Sequence, residues 1–245
     1  MKIRLDQLVW ERGLAKSRSH AQSLIMAGLV YSNTCRLEKS GSKVRPDIHL
    51  EVRGNEHPWV SRGGLKLEHA LTHFGLDVSN ATCLDLGAST GGFTDVLLAR
   101  DAKRVYAIDV GHGQLDWKLR QDERVTVLDR TNARYLNSEI VPEPISFVCC
   151  DTSFIGLKVV LPSSMDLVSE GGQLVALIKP QFEVGKDSVG SKGIVKDSNL
   201  HNLVCEKILD WLCNYSGWSV LGITASPITG VSGNKEFLIA ATKSN

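Results

Sequence analysis

The sequence has no apolar run approaching the roughly 18 residues that a membrane-spanning helix needs. A helical membrane protein is therefore excluded. Its first residues, Met1-Lys2-Ile3-Arg4-Leu5-Asp6, lack the apolar core of a secretion signal. Metal-type C-x-x-C pairs are missing as well: the cysteines stand at 35, 83, 149, 150, 205 and 213. Adjacent Cys149 and Cys150 fall in an apolar run and cannot readily bridge to each other. All six read as reduced thiols in small hydrophobic positions of a cytoplasmic protein. Net charge is nearly absent, +1 from 28 Lys+Arg against 27 Asp+Glu, and aromatic residues make up only 6%. At 245 residues, 42% hydrophobic and 22% charged, the chain is too apolar for disorder and suits one large domain, or a large and a small one. There is no internal repeat and no low-complexity tract.

The neutral total hides an asymmetry. Residues 1–60 hold ten Lys+Arg and six Asp+Glu, a balance of +4, and the remainder holds 18 against 21, a balance of −3. A basic front on a mildly acidic body suggests a polyanion-binding module joined to a catalytic one. In the front, Leu5, Leu8 and Val9 lie at helical spacing before Gly13. A second helix follows, capped by Ser17, with Ala21, Leu24 and Ile25 on one face before Gly28. Leu29–Tyr31, Val44 and Ile48–Val52 read as short strands. Lys16, Arg18 and His20 cluster at the start of the second helix, where the helix dipole disfavours cations unless an anion binds there. A solvated basic turn is the equally weighted alternative.

The strings Arg4–Val9, Glu11–Arg18 and Ala21–Gly28 resemble the S4-type RNA-binding domain over residues 3–52. The resemblance implies an RNA partner. It departs in the hairpin, where Asn33-Thr34 stands for the usual Asn-Gly, which predicts a longer or altered turn.

Gly54-Asn55-Glu56-His57-Pro58 is a polar break. The expected organisation is a front domain over 1–53, a linker over 54–60 and a body over 61–245. In the body a helix with Leu67, Ala70, Leu71 and Phe74 on one face precedes strands at Cys83–Leu86, Val105–Ile108, Val125–Leu128, Ile145–Cys150, Leu174–Ile178, Val220–Ala225 and Phe237–Ala241. A helix near 197–215 carries Leu200, Leu203, Val204, Ile208, Trp211, Leu212 and Tyr215 as its stripe. Such alternation implies an α/β fold with a mostly parallel sheet covered on both faces, binding ligands beyond the strands' carboxyl ends.

The first body strand enters the turn Asp85-Leu86-Gly87-Ala88-Ser89-Thr90-Gly91-Gly92-Phe93. Ser89 stands where a dinucleotide fingerprint requires glycine, which disfavours a pyrophosphate ligand. Asp109 ends the second strand, placed to accept from ribose hydroxyls, and Leu128-Asp129 ends the third, placed beside an adenine. Together these fit S-adenosylmethionine, which has no phosphates to cradle, although loop capping would by itself explain Asp85 or Asp129. Lys66, Asp151, Lys179 and Glu236 are charged residues beside apolar segments, at strand ends or on the leading helix.

The motifs Ser61–Leu67, Cys83–Leu98, Val105–Arg120, Thr131–Arg134, Asp151–Ile155, Ile178–Lys186 and Ser226–Leu238 carry a resemblance along nearly the whole chain. The body resembles the FtsJ-type ribose 2′-O-methyltransferases, and the whole resembles the TlyA family of bacterial ribosomal RNA methyltransferases. Asp129 and Thr152 are minor departures from that family's pattern. The resemblance implies a Rossmann-like, doubly wound seven-stranded sheet behind a small α+β S4-type domain. It also implies a catalytic tetrad on Lys66, Asp151, Lys179 and Glu236, and transfer of a methyl group to a ribose 2′-hydroxyl, of cytidine, in ribosomal RNA or ribosomal subunits. The candidate cofactor contacts are Asp85, Gly87, Ala88, Ser89, Thr90, Gly91, Gly92, Phe93, Asp109, Val110, Leu128, Asp129 and Asp151. The candidate RNA contacts are Arg4, Lys16, Arg18, His20, Arg62 and Lys186, the last in a Gly/Lys-rich stretch over 181–197 read as a flap. Lys179 is assigned the hydroxyl proton, with Lys66 and desolvation lowering its pKa and the two acids orienting the lysines. Two readings stand beside this one: a cytolysin, since family members have been labelled haemolysins, and a non-catalytic ribosome assembly factor.

Overall fold

The computed structural model describes residues 2–15, 17–53, 57–185, 189–190, 193–230 and 233–244. The chain forms two compact units, 1–62 and 63–245. The division falls two residues beyond the linker expected at 54–60, of which residues 54–56 lie outside the described ones.

The first unit runs β1 (Ile3–Arg4), α1 (Leu5–Glu11), α2 (Arg18–Met26), β2 (Val30–Ser32), β3 (Cys35–Arg36), β4 (Lys43–Val44) and β5 (Glu51–Val52). Strand β1 pairs with β4, and β2 pairs with both β3 and β5, all antiparallel. Leu5, Leu8, Val9, Ala21 and Ile25 are the buried face of the two helices, and Leu24 packs against it half-buried. Ser17 caps α2 by accepting from the His20 N–H at 3.1 Å. The β2–β3 turn is two residues long, not lengthened, because Asn33 adopts the left-handed conformation (φ +53°) in place of glycine. The strand expected over 48–52 is shorter, since the Ile48 N–H bonds back to the Arg45 carbonyl in a turn.

The second unit runs α3 (Gly63–Phe74), β6 (Thr82–Leu86), α4 (Gly92–Ala99), β7 (Arg104–Asp109), α5 (Trp117–Arg120), β8 (Val125–Asp129), β9 (Ile145–Cys150), α6 (Leu157–Val160), α7 (Pro162–Asp166), β10 (Val168–Ile178), α8 (Pro180–Glu183), α9 (Ser198–Cys213), β11 (Trp218–Ala225) and β12 (Phe237–Lys243). A single-turn 3-10 helix, Ala133–Tyr135, lies between β8 and β9. The seven strands form one sheet in the order β11-β12-β10-β9-β6-β7-β8. Among the described strands of this sheet only β12 runs against its neighbours. This is the Rossmann-like α/β sheet that the alternating pattern implies. Neighbouring Cys149 and Cys150 point to opposite faces of β9 and both are fully buried, so both faces are covered. Strand β10 starts six residues earlier than expected. Its first part, Ser169-Glu170-Gly171-Gly172, is polar and glycine-rich and passes through a register shift, which hides it from an apolar-run reading.

Along α9, Val204, Ile208 and Leu212 are buried, whereas Leu203 is 43% exposed on the side shared with Lys207 and Asp210. The buried stripe includes His201 instead, whose Nε2 lies 2.9 Å from the Val195 carbonyl. No helix among the described residues is long and apolar enough to cross a membrane. Leu212→Ala is expected to cost about 2–5 kcal/mol in urea unfolding and Leu203→Ala roughly 0.5 kcal/mol or less. Equal losses at the two positions would show that the packing of α9 is wrong.

Candidate active site

Strands β6, β7 and β8 progress to one side of the sheet, and β9 and β10 to the other, so the order reverses between β6 and β9. Crevices of this kind lie at the carboxyl ends of the two strands that part there. The close approach is enforced by Gly87: its φ is +82°, and a Cβ there would stand 2.9 Å from the Asp151 carbonyl oxygen. The Asp151 N–H bonds to the Leu86 carbonyl at 3.0 Å, tying the two strand ends together. Asp151 follows β9 directly, Lys179 follows β10, and Glu236 precedes β12. Because β12 is antiparallel, with Phe237 opposite Ile178, its beginning lies at the end of β10. Three strand termini thus bring Asp151, Lys179 and Glu236 to one edge, and α3 supplies Lys66.

Lys66 Nζ lies 2.8 Å from Glu236 Oε2 and 3.3 Å from Asp151 Oδ2. Lys179 Nζ lies 2.5 Å from Asp151 Oδ1 and donates to Ser153 Oγ at 3.1 Å. The four expected catalytic side chains therefore form one chain of contacts in the order Glu236, Lys66, Asp151, Lys179. Lys66, Lys179 and Glu236 are buried, and Asp151 is nearly so. Burial alone would lower the Lys66 pKa, but the Asp151 and Glu236 carboxylates outweigh it and raise it above the ordinary lysine value. Lys66 accordingly stays an ammonium and serves as the counter-ion of two acids. Ser153 had no signal beyond its place in the Asp151–Ile155 motif.

The glycine turn divides by exposure. Ala88, Gly91, Gly92 and Phe93 are buried, whereas Gly87 and Thr90 are half-buried and Ser89 is exposed with φ +48°. Asp109 stitches this turn to β7, its Oδ2 accepting from the Ser89 N–H at 2.9 Å and its Oδ1 from the Gly111 N–H at 2.7 Å. Each oxygen keeps a further lone pair for a hydroxyl donor. Val110 beside it is 71% exposed. Asp129 Oδ2 contacts Arg120 Nη2 at 2.6 Å, His112 Nδ1 at 3.0 Å and the Gly113 N–H at 3.2 Å. Burial pushes its pKa up, but these partners win and hold it below the ordinary value. Leu128 is half-buried against the core.

Asp85 lies deeper. It is fully buried, its Oδ2 accepts from Thr94 Oγ1 of α4 at 2.6 Å, and its Oδ1 has no hydrogen-bond partner among the described residues. Desolvation pushes its pKa up to about 7 against the lowering effect of Thr94, with Asp151 and Asp109 adding to the rise.

Of the candidate RNA contacts, Arg4 and Arg18 both pair with buried Asp6, His20 is partly buried in α2, and Arg62 Nη1 lies 4.0 Å from Glu38 Oε1. Lys16 and Lys186 lie outside the described residues, as do parts of the stretch read as a flap.

Sequence comparison adds two family matches: FtsJ-like methyltransferase over residues 59–243 and S4 domain over residues 3–47. A Bacillus subtilis protein described provisionally as the rRNA methyltransferase YqxC is 49% identical over 97% of this chain and 85% of its own length. The Mycobacterium tuberculosis 16S/23S rRNA (cytidine-2'-O)-methyltransferase TlyA is 44% identical over 97% of this chain and 89% of its own. A solved structure from Streptococcus thermophilus that carries a hemolysin name superposes with a TM-score of 0.78 at 44% identity, covering 100% of this chain and 89% of that one.

Asp85 gives the unit a pH signature. A carboxyl whose pKa rises on folding favours the folded state while it is protonated. That stability is fully present below about pH 4 and is lost as pH rises through about 7. Asp85→Asn, which stays neutral, is expected to flatten this fall, so the variant gains on the wild type between pH 5 and pH 8 in urea unfolding, roughly as linkage requires. Parallel curves for the two proteins would show that Asp85 is not a raised-pKa acid.

Proposed function

We propose, from the premise that the chain belongs to the FtsJ-like methyltransferase family, that it moves a methyl group from S-adenosylmethionine to a ribose 2′-hydroxyl of ribosomal RNA, on cytidine. The S4 domain match and the rRNA methyltransferase names of the relatives support the RNA substrate. One observation carries the reaction type: a buried Glu236–Lys66–Asp151–Lys179 chain at the switch point of the sheet, beside a glycine turn stitched by a carboxylate.

The crevice fits the proposed cofactor. At Gly87 the backbone leaves no room for a side chain, Asp109 offers acceptor lone pairs at the end of β7, and Asp129 with Leu128 lines the end of β8. S-adenosylmethionine, when bound, supplies an activated methyl on a sulfonium that departs as a neutral thioether.

The chain's own residues then have two tasks. A ribose hydroxyl is a weak nucleophile near neutral pH, so it must be aligned and relieved of its proton as the new bond forms. Lys179 is the group for that proton, which it takes up as the free amine and then holds as an ammonium facing Asp151. It sits between Asp151 and Ser153 at the end of β10, shielded from bulk water. Lys66 has the other task. As a permanent ammonium it holds Asp151 and Glu236 in place and prevents two buried carboxylates from repelling each other.

The test uses purified protein, S-adenosylmethionine with a labelled methyl group, and ribosomal subunits from cells lacking the corresponding modification. Mass mapping of the RNA is expected to find one ribose-methylated cytidine. Lys179→Ala is expected to lower the transfer rate by roughly 10²–10⁴-fold with cofactor binding retained. Wild-type protein that binds cofactor yet modifies neither subunit nor free ribosomal RNA would overturn the reading in favour of an assembly factor.

A further inference from the structure

Asp6 is a fully buried carboxylate in the first turn of α1. Arg4 meets it as a fork, Nε to Oδ1 at 3.0 Å and Nη2 to Oδ2 at 2.9 Å. Arg18, from the start of α2, meets the same group through Nε to Oδ2 at 3.3 Å and Nη2 to Oδ1 at 3.4 Å. Gln22 Nε2 donates to Oδ2 at 2.8 Å and the Gln7 N–H to Oδ1 at 2.9 Å. The Arg4 fork leads in holding the Asp6 carboxyl far below the ordinary aspartate range, ahead of the opposing effect of burial.

The arginines are not buried with it: their side chains are 44% and 46% exposed. Ion pairs with one partner this exposed add little to stability, typically about 0–1 kcal/mol. What the cluster does achieve is orientation. A guanidinium that presents its Nε/Nη2 edge to Asp6 turns its opposite edge away, and that edge still carries N–H donors in a fixed plane. One carboxylate therefore sets two planar forks from separate elements, the end of β1 and the first residue of α2. The cluster carries two positive charges against one negative, so a single phosphodiester neutralises it.

We propose that Asp6 is a positioning residue that makes Arg4 and Arg18 one phosphate-binding unit for RNA. This rests on the RNA reading above and deepens it. The arrangement lowers the ordering cost of holding two long side chains around a phosphate, and bidentate Arg–phosphate bonds are among the stronger charge-assisted contacts.

The proposal reverses the sign that charge alone predicts. Asp6→Asn raises the net charge by one, so diffuse attraction to a polyanion increases; with a positioning role, affinity falls because the forks lose their common acceptor. The full chain is assayed by filter binding to deproteinised ribosomal RNA across a KCl series, with the folded state checked by thermal unfolding. Asp6→Asn is expected to bind about three- to tenfold more weakly, with a slope of log K against log[KCl] shallower by roughly one. Affinity equal to or above wild type in the folded variant overturns the proposal. Arg18→Lys serves if Asp6→Asn does not fold. It keeps the charge and loses the fork, so weaker binding supports the proposal and unchanged binding overturns it. Wild-type protein that fails to bind RNA sinks the RNA reading itself, an outcome distinct from either.

Discussion

Everything at the carboxyl edge of the sheet turns on one carboxylate shared by two buried lysines. Asp151 has Lys66 at one oxygen and Lys179 at the other, and Glu236 closes the far end on Lys66. With both lysines protonated, two cations and two anions bring the cluster to neutrality, the state that Lys179 regains when it takes up the hydroxyl proton. A lone charge moved into such a site costs several kcal/mol, and removing one member strands its partners. The fold supplies these positions from elements distant in sequence. The reversal of strand order between β6 and β9 exposes the end of β9, and the antiparallel β12 returns Glu236 to the same edge. Gly87 lets the two strand ends approach closely, since a Cβ there would stand 2.9 Å from the Asp151 carbonyl oxygen.

The two units use buried carboxylates differently. In the first, Asp6 holds half-exposed arginines whose outer edges face away from it. In the second, Asp151 and Glu236 hold lysines that are themselves enclosed. Exposed forks suit recognition of a backbone phosphate, where the ligand brings the charge. Enclosed amines suit proton handling, where water would compete for the proton. The choice of arginine in one and lysine in the other follows the same division, since arginine keeps its proton and lysine can exchange it.

Most of the body fold was legible because strands buried on both faces read as short apolar runs, and Phe147–Cys150 within β9 is such a run. Legibility failed where burial and apolarity part company. The beginning of β10 is hidden by Glu170, Gly171 and a register shift, and the apolar pattern places Leu203 in a stripe whose buried members include the polar His201 instead. In the front unit, β1 was hidden because two residues before a helical pattern carry no periodicity. At the candidate site, the four charged residues stood out because charges beside apolar strand ends are unusual. Their connectivity did not, because contact order depends on which strand neighbours which. Ser153 and Thr94 were invisible as partners, since a lone hydroxyl in sequence does not announce the lysine or carboxylate it meets. The sequence places Asp85 among the cofactor contacts, and its full burial beneath the turn is a property of the packing of α4.

The sharing of Asp151 is tested most directly by the methyl-transfer rate of Asp151→Asn on ribosomal subunits, measured beside its affinity for S-adenosylmethionine. The amide keeps the size and loses the charge that both lysines face. The account predicts a rate at least about 100-fold below wild type in a folded protein at saturating S-adenosylmethionine. Transfer within a few-fold of wild type would contradict it and would leave the buried chain of charges without a catalytic role.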